Sequence, residues 1–128
     1  MKLLLDTSAF LWFQADSPQL SPTARAEILD PTNEVYFSAV SVWEIARKYA
    51  QGKIWLPSHP STLISAVRRD SGIASLPLTE ADALAAEKLQ LFHKDPFDRM
   101  LIAQAHMGGL VIVTSDRAFD PYPVRVIW

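Results

Sequence analysis

Four acidic residues stand where apolar stretches meet helical patterns: Asp6 after Leu3-Leu4-Leu5, Glu44 in Ser41-Val42-Trp43-Glu44, Asp98 in Asp95-Pro96-Phe97-Asp98, and Asp116 after Val113-Thr114-Ser115. Carboxylate oxygens gathered in one place are ligands for a hard divalent cation such as magnesium or manganese. Two carboxylates about 5 Å apart repel by roughly 3 kcal/mol at an effective dielectric near 20, so a group of them either takes up protons or binds a cation. One or two ions held in this way activate a water for in-line displacement at a phosphodiester and stabilise charge on the leaving oxygen.

Each acid also has a purely structural role open to it. Ser41-Val42-Trp43-Glu44 matches a helix capping box, and Glu44 stands four residues before Lys48, the spacing of a helical ion pair. Asp6 can cap a helix starting near Ser8, Asp116 can cap the turn after it, and Asp98 suits the positive start of a helix. Asp95, directly before Pro96, reads as the N-cap of that same helix.

Whether the four acids meet depends on the elements that carry them. Short apolar runs at Lys2–Leu5, Val35–Ser38, Ile73–Leu76, Leu110–Thr114 and Val124–Ile127 read as strands. Between them, apolar periodicity predicts helices at Ser8–Gln14, Thr23–Leu29, Val42–Gln51, Ser61–Asp70, Glu80–Leu89 and Phe97–Met107, with a short turn around Arg117–Phe119. Gly52, Gly72 and Gly108-Gly109 fall where helices would end, and Ser21-Pro22 and Asp95-Pro96 where helices would begin. The alternation of strand and helix implies right-handed crossovers and a three-layer α/β/α domain. Leu3-Leu4-Leu5 and Leu110-Val111-Ile112-Val113 lack polar alternation, as strands covered on both faces do, so these two should be central.

That sketch brings the acids together. Asp6 and Asp116 belong to the carboxyl ends of the two central strands, where ligands bind in open α/β sheets. Asp98 lies in line with the apolar face of its helix through Ile102, and burying its charge calls for a partner. Glu44 is off the stripe Val42, Ile45, Ala46, Tyr49 and Ala50 and can reach the same rim. Independent caps have no reason to converge in this way.

The 128 residues, 49% of them hydrophobic, suit one compact domain spanning residues 1–128. No apolar run approaches the roughly 18 residues of a membrane span, and the first residues are too short for a signal-peptide core, so the cytoplasm is the expected location. With no cysteine, a metal must be held by oxygen or imidazole. The formal net charge of −2 argues against a protein that coats nucleic acid non-specifically.

The chain resembles PIN-domain proteins, and among them the VapC-type toxins of toxin–antitoxin pairs. The resemblance is carried by Leu4-Leu5-Asp6-Thr7-Ser8-Ala9-Phe10-Leu11-Trp12, Ser38-Ala39-Val40-Ser41-Val42-Trp43-Glu44-Ile45, His93-Lys94-Asp95-Pro96-Phe97-Asp98-Arg99-Met100-Leu101-Ile102-Ala103-Gln104-Ala105 and Val113-Thr114-Ser115-Asp116. It implies a parallel five-stranded sheet of order 3-2-1-4-5, and Asp6, Glu44, Asp98 and Asp116 as an acidic quartet binding Mg2+ or Mn2+. It further implies endonucleolytic cleavage of RNA, a cognate antitoxin protein and a homodimer. Ser8 and Thr114 match hydroxyl positions that orient acidic residues or water in the family.

Other readings compete. A receiver or phosphohydrolase would want an adjacent acidic pair after the first strand and a lysine after a late one, whereas Asp6 is followed by Thr7-Ser8 and Asp116 by Arg117. A PIN-like module that binds RNA or protein without cutting is the non-enzymatic alternative, against which a complete quartet counts. Lys48, Lys94, Arg99 and Arg117 are candidates to steer an RNA backbone. His93 is either a proton donor to the leaving group or, by preference, a surface or packing residue. Trp12, Trp43 and Trp55 are candidates for base stacking, with core or partner packing preferred for Trp12 and Trp43.

Overall fold

In the computed structural model, which describes all 128 residues, the chain runs β1 (Lys2–Leu5), α1 (Thr7–Gln14), α2 (Pro22–Leu29), β2 (Glu34–Ser38), α3 (Ala39–Ala50), α4 (Pro60–Ser71), β3 (Ala74–Leu76), α5 (Glu80–Lys88), α6 (Pro96–Gly108), β4 (Val111–Val113), a 3₁₀ turn (Arg117–Phe119) and β5 (Val126–Ile127). The five strands are all parallel and lie in the order β3-β2-β1-β4-β5, the order that the PIN-domain resemblance implies. Leu5 stands opposite Phe37 on one side and Val113 on the other, so β1 and β4 are neighbours at the point where the strand order reverses.

Helices cover both faces. Leu3, Leu5, Val111 and Val113 pack on one side with Phe10, Ala24, Ile28, Ile45, Leu63 and Ile64 from α1–α4. Leu4 and Ile112, pointing the other way, meet Leu101, Ile102 and Ala105 of α6 together with Phe119 and Tyr122. Leu3, Leu4, Leu5, Ile112 and Val113 are fully buried, which explains the absence of polar alternation in both runs. Burial of such aliphatic side chains contributes roughly 1.5–3 kcal/mol each. No helix is long and apolar enough to cross a membrane.

The helix signals read in the sequence hold at Ser21-Pro22 and Asp95-Pro96, where Ser21 accepts from Ala24 N–H and Asp95 from Phe97 and Asp98 N–H. At Gly109 a φ of 65° lets the chain leave α6 in the left-handed conformation and turn into β4. The capping box at Ser41-Glu44 does not form. Helix α3 starts a turn earlier, at Ala39, because the last residue of β2, Ser38, is itself the N-cap and its Oγ accepts from Val40 N–H. Ser38 is fully buried and donates to Gln104 Oε1 at 2.6 Å, which ties the start of α3 to α6. Glu44 therefore sits in the second turn of α3 and not in the first.

Candidate metal centre

Each acid is placed by the local rules that end one element and begin the next. Asp6 follows β1 directly, and its N–H continues the ladder to Val113 O at 3.1 Å. Its Oδ1 accepts from Ala9 N–H at 2.7 Å and so caps α1. Its Oδ2 accepts from the hydroxyl of Thr114, just past the neighbouring strand β4. Thr114 Oγ1 in turn accepts from Asp116 N–H at 3.0 Å, and Asp116 Oδ1 caps the 3₁₀ turn through Ala118 N–H at 2.9 Å. One buried threonine thus fixes both the side chain of Asp6 and the backbone that presents Asp116.

Glu44 reaches the same place from α3. Thr7, the first residue of α1, donates its hydroxyl to Glu44 Oε1, and Lys48 pairs with Glu44 Oε2 at 3.1 Å. Asp98 comes from the first turn of α6, and its Oδ2 lies 2.7 Å from His93 Nε2. Asp6, Thr7, Ser8, Glu44, Lys48, Asp95, Asp98, Ser115 and Asp116 line one cleft of about 180 Å³ with no hydrophobic residue among them. The four acids read as a group from the sequence do share one site, with Ser8 exposed on its rim and Thr114 buried and bonded to Asp6 beneath it.

The electrostatics are those of crowded carboxylates. Burial pushes the Asp6 carboxyl up to about 6; the bonds from Thr114 and Ala9 oppose the shift, and the charges of Asp116 and Glu44 add to it. Asp98 is also raised to about 6, chiefly by burial, with Asp95 and Asp116 adding to the rise and His93 opposing it. Five carboxylates face one lysine ammonium, and that ammonium is already paired with Glu44. An all-polar cleft of this charge, holding two carboxyls that resist ionisation, fits a divalent cation. A larger groove of about 410 Å³ between α3 and α4 contains no carboxylate and offers no such chemistry.

Several residues of the cleft were not singled out as site residues in the sequence. Thr7 is the residue that holds Glu44, and its only signal was adjacency to Asp6. Asp95 is the expected N-cap and also lines the cleft. His93, which the sequence offers as a proton donor or, by preference, a surface or packing residue, lies outside this lining, half-buried, with its Nε2 2.7 Å from Asp98 Oδ2.

Two further expectations are corrected. Arg99 does not steer a substrate: it is buried, and its guanidinium donates to the carbonyls of Ala86, Leu89, Gln90 and His93. Trp43 does not fill the core: it is 58% exposed and leans on Phe97, beside Asp98 in the sequence, which leaves partner packing or base stacking as its readings. Trp12 is half-buried against Trp128, and Trp55 is exposed.

Comparison with known proteins agrees with this architecture. The family model described as PIN domain matches residues 3–124. The chain is 28% identical over 129 residues to Ribonuclease VapC22 of Mycobacterium tuberculosis (strain ATCC 25618 / H37Rv), with 97% of each chain covered. It superposes on a chain of VapBC2 from Rickettsia felis, bound to a DNA fragment from the promoter, with a TM-score of 0.75 at 15% identity, covering 99% of this chain and 98% of that one. A chain of DNA-bound VapBC from Salmonella typhimurium gives a TM-score of 0.70 at 19% identity, covering 99% and 97%. With the sheet order, the acidic cleft and a family match over nearly its whole length in agreement, the chain belongs to the PIN domain family.

Proposed function

We propose that the protein is a divalent-metal-dependent endoribonuclease, the toxin of a toxin–antitoxin pair, with Asp6, Glu44, Asp98 and Asp116 as its metal-binding and catalytic acids. The observation that carries this reading is the convergence of these four carboxylates, from four separate segments, on one cleft with no hydrophobic lining. The ribonuclease name of the relative at 28% identity and the VapBC complexes among the structural neighbours support the RNA substrate and the partner protein. Mg2+ is the proposed ion, with Mn2+ able to replace it.

When bound, the ion supplies Lewis-acid activation of the attacking water and stabilisation of charge on the phosphodiester and leaving oxygen. The protein's part is to hold the ligands ready. Thr114 aims Asp6 and props Asp116, Thr7 aims Glu44, and the Asp95 cap fixes the first turn of α6 from which Asp98 projects. Ser8, exposed in the lining of the cleft, takes the supporting role of orienting water or substrate. Lys48 neutralises part of the acidic charge and lies where an RNA phosphate would approach. The site needs no covalent intermediate, and the acids, already crowded, gain more from an ion than from one another.

The test is cleavage of a mixed cellular RNA pool by the purified chain with Mg2+ and with excess EDTA, in the wild type and in Asp98→Asn. Cutting that needs the ion and disappears in the variant is the expected result. A folded, partner-free wild type that does not cut would leave a PIN module that binds RNA or protein without cleaving it.

A further inference from the structure

One more side chain stands among the acids with a different donor atom. His93 Nε2, one Asp98 oxygen and one Asp116 oxygen all lie within 4.8 Å of one another. His93 is 23% exposed at its side chain and Asp98 is 21% exposed, so the pair is largely shielded, with Asp98 in the lining of the cleft and His93 behind it. The separation of 2.7 Å between Nε2 and Asp98 Oδ2 is close to that of two adjacent ligands on an octahedral ion, about 3 Å apart for metal–ligand bonds of about 2.1 Å.

The backbone around His93 is held in a way that a surface residue does not need. Its N–H donates to the hydroxyl of Tyr122 at 2.9 Å, and that hydroxyl donates to Gln90 O at 2.8 Å. Its carbonyl accepts from the buried guanidinium of Arg99 at 3.2 Å, and the same guanidinium gathers the carbonyls of Ala86, Leu89 and Gln90. Arg99 leaves α6 one residue after Asp98, so one turn of helix carries both the carboxylate and the clamp for the histidine beside it. This is the kind of preorganisation that metal ligands show.

We infer that His93 Nε2 is a direct ligand of the bound ion together with Asp98 and Asp116, so that the site, which takes Mg2+ through its carboxylates, holds Mn2+ more tightly. The inference rests on the metal-site reading above and deepens it. Manganese, like magnesium, favours oxygen, but it stands on the first-row series whose affinity for nitrogen rises towards iron, nickel and zinc, so an imidazole adds more to its binding than to that of magnesium. Without an ion the histidine and Asp98 satisfy each other through the hydrogen bond; as an Nε2 ligand the histidine would be neutral with its one proton on Nδ1, and the proton shared with Asp98 would go to Nδ1 or to solvent. The contrasting role would leave His93 as a tether that only orients Asp98 by hydrogen bonding.

The two roles separate in pulsed EPR of the full chain loaded with one equivalent of Mn2+. Direct ligation predicts nitrogen modulation at the manganese, a changed pattern when histidine is labelled with 15N, and its disappearance in His93→Gln. It also predicts that His93→Gln lowers manganese affinity by about tenfold or more and magnesium affinity less. The labelled wild type carries the test even if the variant folds poorly. An all-oxygen manganese spectrum in the wild type, or nitrogen modulation that survives His93→Gln, overturns the inference and leaves the carboxylate site standing. A wild type that binds no Mn2+ overturns both.

Discussion

Thr114 donates its hydroxyl to Asp6 across the seam between the two central strands, joining residues 108 positions apart in the chain. The same oxygen accepts the N–H of Asp116, so a single buried hydroxyl sets two of the four acids. Thr114→Val keeps the shape and removes both bonds. The expected outcome is a loss of about 1–3 kcal/mol in chemical unfolding, the cost of leaving a buried polar group unpaired. Because the bond lowers the Asp6 pKa, its loss should move that titration above about 6, followed by carboxyl 13C NMR.

Asp6 is expected to weaken the fold at neutral pH. Its carboxyl is raised to about 6 in the folded protein against an ordinary value of 3.8. Between those values the folded chain holds a proton that the unfolded chain has lost, so this group's contribution makes stability fall as pH rises from about 4 to 6. Asp98 acts with the same sign. Asp6→Asn, which keeps a cap for Ala9 N–H, should therefore raise the melting temperature above pH 6 while abolishing activity. A melting temperature that falls in this variant at pH 7.5 would show that Asp6 is stabilised as a charge.

Divalent ions should reverse that pH trend. Protons compete with the ion for Asp6 and Asp98, so the rise in melting temperature produced by saturating Mg2+ or Mn2+ should be small at pH 5 and grow through pH 6 to 7. Differential scanning calorimetry at two pH values, with and without ion, measures it. An ion effect independent of pH would place binding elsewhere.

Ser41 is fully buried on α3, and its Oγ has no hydrogen-bond partner in the protein. Ser41→Ala removes an unsatisfied group and leaves the rest of the packing in place. Stability should stay level or rise by up to about 1 kcal/mol in urea unfolding, where a paired buried hydroxyl would have cost about that much.

Arg99 should not tolerate lysine. Its fork donates to four carbonyls that an ammonium cannot span together. Arg99→Lys is expected to lose roughly 2 kcal/mol or more and to speed hydrogen exchange between Ala86 and His93. Unchanged exchange in that segment would mean that packing and not the guanidinium holds it.

The sequence showed the sheet and the acids well and their supports poorly. Leu3-Leu4-Leu5 and Val111-Ile112-Val113 announce central strands because burial on both faces leaves no room for polar alternation. Asp6 and Asp116 follow from topology, since the carboxyl ends of adjacent parallel strands must meet, while Glu44 and Asp98 arrive from the helices α3 and α6. Ser41-Glu44 misled because a capping box is a local pattern, whereas the true cap, Ser38, is chosen by a bond to Gln104, 66 residues away. Thr7 and Arg99 acquire their roles through contacts across elements, which no spacing within one segment records, and His93 meets Asp98 through the loop that precedes α6, which has no helical spacing to announce it.

The most direct test is single-turnover cleavage of an end-labelled RNA by the wild type, by Asp6→Asn, Glu44→Gln, Asp98→Asn and Asp116→Asn, and by the double variant Asp6→Asn/Asp98→Asn, each in saturating Mg2+. If the four carboxylates act as one ion-binding unit, every single variant should fall by at least about 100-fold, and the double should fall little further, since groups that act as a unit are strongly non-additive. Variants that keep most of the wild-type rate, or losses that multiply independently in the double, would contradict a single shared site.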